Sequence, residues 1–446
     1  MSEIGPKRLA SRRQFLKLGG AVLAGLAAGA MGIGRREPAF TCATEHSTRP
    51  GETLAPITRG SIKGQSLTFE IQGEIKGAGD SQEMAISLAS AGAGTYTSPV
   101  IRAPLPFTAV GPHWALEGGP DDTLRVEVRT SADGATWSEW QSVALETPFG
   151  STPSPQYFGS LVSASSPDHL DHYAQYRIAS ASDQMKTLPP TRLTLTFIDA
   201  SDGPAGGQTL AAERLAMAPS ALPMPPITWR VGWGCPDGES SPNWPPEYHP
   251  VTHLVIHHTA SSNSITDWAA HVRAIWYYHA ITLDWGDIGY NYLVDPNGVI
   301  YEGRAGGNNV VGAHVYGFNT SGTMGVACLG TYSYVGISPA LRSSLESLLA
   351  WKCTSAGLDP TGSRSITGYA SCAPLTINQP VISGHRDFPG HSSAYPYACN
   401  PYGPTECPGN QLESQLPAIR ADVAGRIQAA PSPGKWKLYL PLVSKP

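Results

Sequence analysis

Two imidazoles and a thiol, the side chains a catalytic zinc most often takes, sit in three separated segments: His-Leu-Val-Ile-His-His-Thr-Ala at 253–260, Ser-Gly-His-Arg-Asp at 383–387 and Thr-Glu-Cys-Pro-Gly at 405–409. Three protein ligands plus one open position is the requirement for hydrolysis at a zinc ion, where a bound water is acidified and a carbonyl polarised. No local motif of the His-Glu-x-x-His sort ties the segments together, so only the fold can join them. In the 253–258 run, neighbouring side chains of a strand point to opposite faces, so only one of His257 and His258 can face a shared site. The geometry leaves open which. Cys407 has a second reading, as half of a disulfide with Cys399 or Cys372.

The elements that would carry these residues are legible nearby. His253–His258 reads as a strand, and Ser264–His279 has helical spacing, with Trp268, Val272, Ile275 and Trp276 as an apolar stripe. Tyr290–Val294 and Val299–Tyr301 flank Asp295-Pro296-Asn297-Gly298, which predicts a hairpin. Ser338 as N-cap and Pro339 in the first turn open a helix that runs to about Ser355, before Gly357. Thr323–Leu329 and Val381–Ser383 add strands, and Gln411–Gln428 a closing helix. This alternation beyond Trp229 predicts an α/β or α+β domain.

Residues 60–202 have a different texture. Leu124, Val126 and Val128 alternate with Arg125, Glu127 and Arg129, then Asp133-Gly134 leads into Thr136–Trp140, a predicted hairpin. Ser66–Gln72, Pro99–Ala103, Tyr157–Val162, Tyr173–Ala179 and Arg192–Ile198 are further strands, giving an all-β, sandwich-like domain. Trp137 and Trp140 differ in strand parity, which predicts one in the core and leaves the other as a surface accident or a ring able to stack on a sugar. A Pro/Gly-rich linker spans 203–226, and a tail containing proline covers 431–446. The chain is thus read as multidomain, an all-β domain followed by an α/β domain.

With 446 residues, 41% hydrophobic and 15% charged, the chain is long enough for two sizeable cores. A formal charge of −5 gives no bulk attraction for a polyanion, so nucleic acid is not an expected partner. Residues 11–17, Ser-Arg-Arg-Gln-Phe-Leu-Lys, precede a Gly/Ala-rich apolar run from Leu18 to Met31, and Ala28-Gly29-Ala30 offers a cleavage site. The pattern resembles a twin-arginine export signal over 1–30, followed by a linker over 31–59. It implies an extracellular or envelope location and no membrane span after cleavage. Seven cysteines leave six once one is taken as a ligand, and six allow 15 pairings.

His253–Ala260, Asp287-Ile288-Gly289-Tyr290-Asn291-Tyr292, Val299–Arg304, Gly312-Ala313-His314, Gly317-Phe318-Asn319, Gly384-His385-Arg386-Asp387 and Cys407-Pro408-Gly409 follow one another in an order that resembles the peptidoglycan recognition protein family. That family is similar to the phage-lysozyme-type zinc amidases, which hydrolyse N-acetylmuramoyl-L-alanine. The resemblance covers about residues 227–430 and implies a mixed sheet flanked by helices. It implies zinc held by His257, His385 and Cys407, with His258 packed behind the sheet. It implies catalytic roles for Tyr290 and Thr405, and contacts to a peptidoglycan muropeptide from His314, Arg304 and Asn319. His279 is expected to be structural. Relatives without the cysteine ligand bind peptidoglycan without cutting it, which is the alternative reading here. The interval between His385 and Cys407 is longer than in many relatives and carries His391, Tyr395, Tyr397 and Cys399.

Overall fold

The computed structural model describes residues 61–70, 95–115, 124–146, 156–165, 169–180, 192–205, 222–241, 245–369, 374–388 and 405–430. The export signal, the tail and the His391–Cys399 insertion lie outside these residues, as do Cys42, Cys372 and most of the 203–226 linker.

His253–His258 and Thr323–Cys328 are buried along their whole lengths and pair in parallel at the centre of a five-stranded sheet. The order is Ile300–Glu302, Tyr292–Val294, Thr323–Cys328, His253–His258, Ile382–Gly384, with only the first pair antiparallel. Parallel strands covered on both faces need continuous apolar runs, which Leu-Val-Ile and Met-Gly-Val-Ala supply. Leu254 and Ile256 pack with Leu345, Leu349, Leu416 and Ile419 of the helices Pro339–Ala356 and Asn410–Ala429. Ser338 Oγ accepts from Leu341 N at 3.1 Å and Gly357 closes the first of these helices in a left-handed conformation (φ 63°), as their positions predict. The mixed-sheet α/β expectation is met.

The first helix departs from its predicted bounds. It starts at Trp268, where Asp267 Oδ1 accepts from Ala270 N at 3.0 Å, and continues past Tyr277 as a π-helical turn, Tyr278–Thr282. Every residue from Trp268 to Trp276 is buried, although the sequence shows only one apolar stripe. A helix buried all round needs a second cover. Residues of the N-terminal strands and of the links beside them supply it: Ala109, Phe158, Leu161, Ile198 and Ala200 share an apolar cluster with Trp268, Val272 and Trp276. The buried guanidinium of Arg273 donates to the Ala200 and Pro204 carbonyls at 2.9 and 3.0 Å and to Trp233 O at 2.8 Å.

The N-terminal strands form two antiparallel sheets. One runs Lys63–Glu70, Arg192–Asp199, Ala109–Ala115, Gln156–Gly159, Leu145–Glu146, with Val162–Ser163 also on Ala109–Ala115. The other runs Thr95–Thr97, Asp171–Ser180, Leu124–Ser131, Gln141–Ser142, with Ile101–Phe107 on Asp171–Ser180. A single apolar cluster draws on both, including Phe107, Val128, Tyr176, Leu195 and Phe197. The predicted 136–140 strand does not form: Leu124–Ser131 pairs instead with Gln141–Ser142. Asp133 is the reason, because its carboxylate takes the N–H groups of Thr136 and Ala135 at 2.7 and 2.8 Å, a turn that pulls the chain off the ladder. Those bonds, Thr136 first, hold the Asp133 carboxyl down at about 2. Trp137 and Trp140 are both half-buried, with the Arg129 guanidinium 4.8 and 4.6 Å from their ring centres, so neither is a core residue.

Cys235, Cys328 and Cys353 are buried free thiols rather than disulfide halves. Burial pushes Cys235 and Cys353 up to about 12, so they behave as small apolar side chains. Among the described residues no helix is long and apolar enough to cross a membrane.

Candidate metal centre

The alternation of the His253–His258 strand decides which histidine faces the cluster. Leu254, Ile256 and His258 share one face, so Val255 and His257 share the other. His258 Nδ1 accepts from Tyr332 N at 3.3 Å, and burial lowers its pKa to about 4, which keeps it a neutral acceptor. His257 looks instead toward His385, ring centres 4.5 Å apart, and toward Cys407, whose Sγ lies 3.6 Å from His257 Nδ1. The ligand atoms of His257, His385 and Cys407 all fall within 4.8 Å of one another. The three residues are 1%, 6% and 8% exposed.

This donor set fits zinc. Tetrahedral zinc with bonds of about 2.0–2.3 Å spaces its ligand atoms about 3.3–3.8 Å apart, so the His257–Cys407 pair is already at ligand spacing. Two imidazoles and a thiol are the softer donors that zinc takes over magnesium or calcium. Cys407 Sγ also accepts from His258 N at 3.4 Å, a bond that favours the thiolate a metal needs. Arg386 N donates to Cys407 O at 3.0 Å, joining the His385 turn to the Cys407 loop, and Asp387 Oδ2 accepts from Gly384 N at 2.9 Å, closing the turn itself.

His314, expected in the groove, is only 7% exposed, and its Nδ1 is 3.1 Å from His257 Nε2. A neutral His257 that offers Nδ1 to a metal keeps its proton on Nε2 and donates it to His314, which fixes tautomer and ring orientation. The ring has room because positions 312 and 325 are glycine: a Cβ at Gly325 would come within 2.5 Å of it. Asn319 Oδ1 accepts from His314 N and Val315 N at 2.8 and 2.9 Å, so Asn319 shapes the loop that presents His314. Arg304 is 1% exposed and its Nε donates to Ile288 O at 2.8 Å. Asn319 Oδ1 and Arg304 Nε thus bond to backbone groups of the loops around the site. Replacing His314 with Phe keeps the packing and removes the acceptor. Zinc affinity measured by chelator competition is expected to fall about 10–100-fold, with the fold unchanged by circular dichroism.

Tyr290 sits just before the Tyr292–Val294 strand, which starts two residues later than the predicted Tyr290, and its ring centre is 5.2 Å from that of His257. Asn291 pins this segment, its Oδ1 accepting from Gly325 N and its Nδ2 donating to Val310 O. Thr405 Oγ1 accepts from Cys407 N at 3.1 Å, which places the hydroxyl beside the thiol's own backbone. A pair that sequence reading missed lies beneath: Arg230 Nη1 and Asp287 Oδ1, 2.9 Å apart and fully buried. Burial is the largest influence and opposes the Arg230 charge, but Asp287, Cys235 and Glu302 together outweigh it and hold the guanidinium above its ordinary value. Asp287 Oδ2 also accepts from Ala305 N, joining the loops on either side of Tyr290. The signal for that pair was the Trp-Arg and Gly-Asp context alone, which does not reveal a partner 57 positions away.

Comparison with known proteins agrees with the centre's location. The Amidase_2 family, described as N-acetylmuramoyl-L-alanine amidase, matches residues 247–410. Peptidoglycan-recognition protein SC2 of Drosophila simulans is 31% identical over 168 residues, covering 37% of this chain and 72% of that protein. The N-acetylmuramoyl-L-alanine amidase of Homo sapiens is 36% identical over 132 residues, covering 28% of this chain and 22% of that protein. Among solved structures, the complex of tracheal cytotoxin with the ectodomains of peptidoglycan recognition proteins LCa and LCx aligns at 25% identity over 43% of this chain and 93% of that one, TM-score 0.32. The chain belongs to the peptidoglycan recognition protein family, through an Amidase_2 domain.

Proposed function

We propose that this chain is an exported, zinc-dependent N-acetylmuramoyl-L-alanine amidase that hydrolyses the amide between the lactyl group of muramic acid and L-alanine in peptidoglycan. The observation that carries it is the convergence of His257, His385 and Cys407 within 4.8 Å, because the thiol is the ligand that a purely binding relative has no need to keep. Zinc bound there would supply a Lewis acid and a water of lowered pKa. Hydrolysis adds one water across the amide, its oxygen going to the lactyl carbonyl carbon and the alanine nitrogen leaving as the free amine. Tyr290 is the donor for the negative charge that builds on the carbonyl oxygen, its phenol being the polar end of a ring packed against His257. Thr405, whose oxygen is engaged by Cys407 N, keeps its own O–H proton to give to the same oxygen.

The wider assignment follows the sequence. Residues 1–30 act as a twin-arginine signal, 60–202 as a β-sandwich-like domain and 227–430 as the amidase domain, with the mature protein outside the cytoplasm or in the envelope and peptidoglycan as its partner. Purified sacculi with and without a chelator test the activity: soluble stem peptides are expected only when zinc is present. Binding to sacculi without release would favour the recognition-module reading.

A further inference from the structure

Tyr278, on the π-turn that follows the first helix, is gripped by the N-terminal sheets. Its hydroxyl lies 2.8 Å from the Gly159 carbonyl and 3.1 Å from the Pro112 carbonyl. Its ring fills the space where Gly111 has no side chain; a Cβ there would come within 2.4 Å of the ring. The next residue, His279, packs at a tilt against Trp285, 4.6 Å between ring centres, and against Tyr290 at 5.6 Å. His279 Nδ1 accepts from Gly289 N at 3.2 Å, which ties the turn to the residue before Tyr290. Leu161, in the link between the strands Gln156–Gly159 and Val162–Ser163, lines one small cavity of ≈ 10 Å³ with Tyr278, His279, Tyr290 and Thr259, room for a single water. Into the same cavity comes His271, 5% exposed, whose Nε2 has no hydrogen-bond partner. The N-terminal sheets therefore reach the wall of the space beside the metal-ligand strand through two routes, Leu161 directly and Tyr278–His279 through the turn. π-turns recur at functional positions, and here the turn carries Tyr278 on the N-terminal sheet and His279 on Tyr290.

We propose that the N-terminal sheets are a positioning element for the reaction: by fixing Tyr278 they set His279, and through it the ring of Tyr290. Tyr278 and His279 are positioning residues that do not touch substrate, and the kinetic part of the claim rests on the amidase reading. Displacing a reacting group by about 1 Å costs on the order of 100-fold in rate, so a methyl group on a distant sheet can be felt at the site.

The test compares two glycines of the same sheets. Gly111→Ala drives Tyr278 aside, whereas Gly64→Ala meets the tip of Tyr277, a half-buried ring that does not line the cavity. Both are measured for kcat and KM on muropeptide, for zinc content, and for the ring resonances of Tyr290 in 13C-tyrosine-labelled protein, assigned with Tyr290→Phe. Gly111→Ala is expected to lower kcat about tenfold or more with KM and zinc unchanged, and to shift the Tyr290 resonance. Gly64→Ala is expected to do neither. Tyr278→Phe, which removes only the hydroxyl, takes the place of Gly111→Ala if that variant does not fold, and should show the same pattern at smaller size. Equal effects from both glycines, or an unmoved Tyr290 resonance in Gly111→Ala and Tyr278→Phe, would overturn the proposal. If the wild-type protein has no turnover and the resonance still moves in Gly111→Ala alone, positioning stands and the amidase reading falls.

Discussion

Cys407→Ser is expected to abolish hydrolysis and to weaken zinc binding by orders of magnitude, while the protein stays folded. The substitution changes one atom, and the hydroxyl still fits where the thiol was 8% exposed. What is lost is the donor: a neutral hydroxyl is a far poorer ligand than the thiolate that the His258 N–H bond favours. Zinc content by atomic absorption and the melting temperature with and without zinc report the effect independently of activity, since a metal that binds only the folded state raises the melting temperature. Stoichiometric zinc and full turnover in this variant would return Cys407 to a structural role.

The second large effect separates binding the metal from using it. Tyr290→Phe and Thr405→Ala are each expected to keep zinc and muropeptide affinity and to lower kcat by about 100–1000-fold, the typical cost of removing one oxyanion donor. Both side chains lie beside proposed ligands: Tyr290 packs on the His257 ring, and Thr405 Oγ1 accepts from Cys407 N. A rise in KM at unchanged kcat would instead assign them to uniform substrate binding. A loss of zinc would make them supports of the ligand loop.

The strand that carries His257 was legible because a parallel strand buried on both faces must be apolar throughout, and Leu254-Val255-Ile256 stands out from its surroundings. The helix Pro339–Ala356 was legible because Ser338, Pro339 and Gly357 are local signals read by local bonds. The strand Ala109–Ala115 was not, since Gly111 and Pro112 argue against a strand there. It forms because Arg192–Asp199 pairs along one side of it and because the Tyr278 ring needs the space Gly111 leaves. The same divide runs through the site. His257, His385 and Cys407 could be picked out as a group only through their resemblance to a known family, because spacing carries no information about convergence across 150 positions. The bonds of His314, Asn319 and Arg304 were invisible for that reason, and so was the cover that the N-terminal strands place over the Trp268–Tyr277 helix.

The central claim is tested most directly by mass spectrometry of the products that the zinc-loaded protein releases from purified sacculi. The account predicts stem peptides with a free L-alanine amino terminus, glycan strands left intact, and no release after chelation until zinc is returned. Release of reducing sugar ends in place of free alanine termini would contradict it.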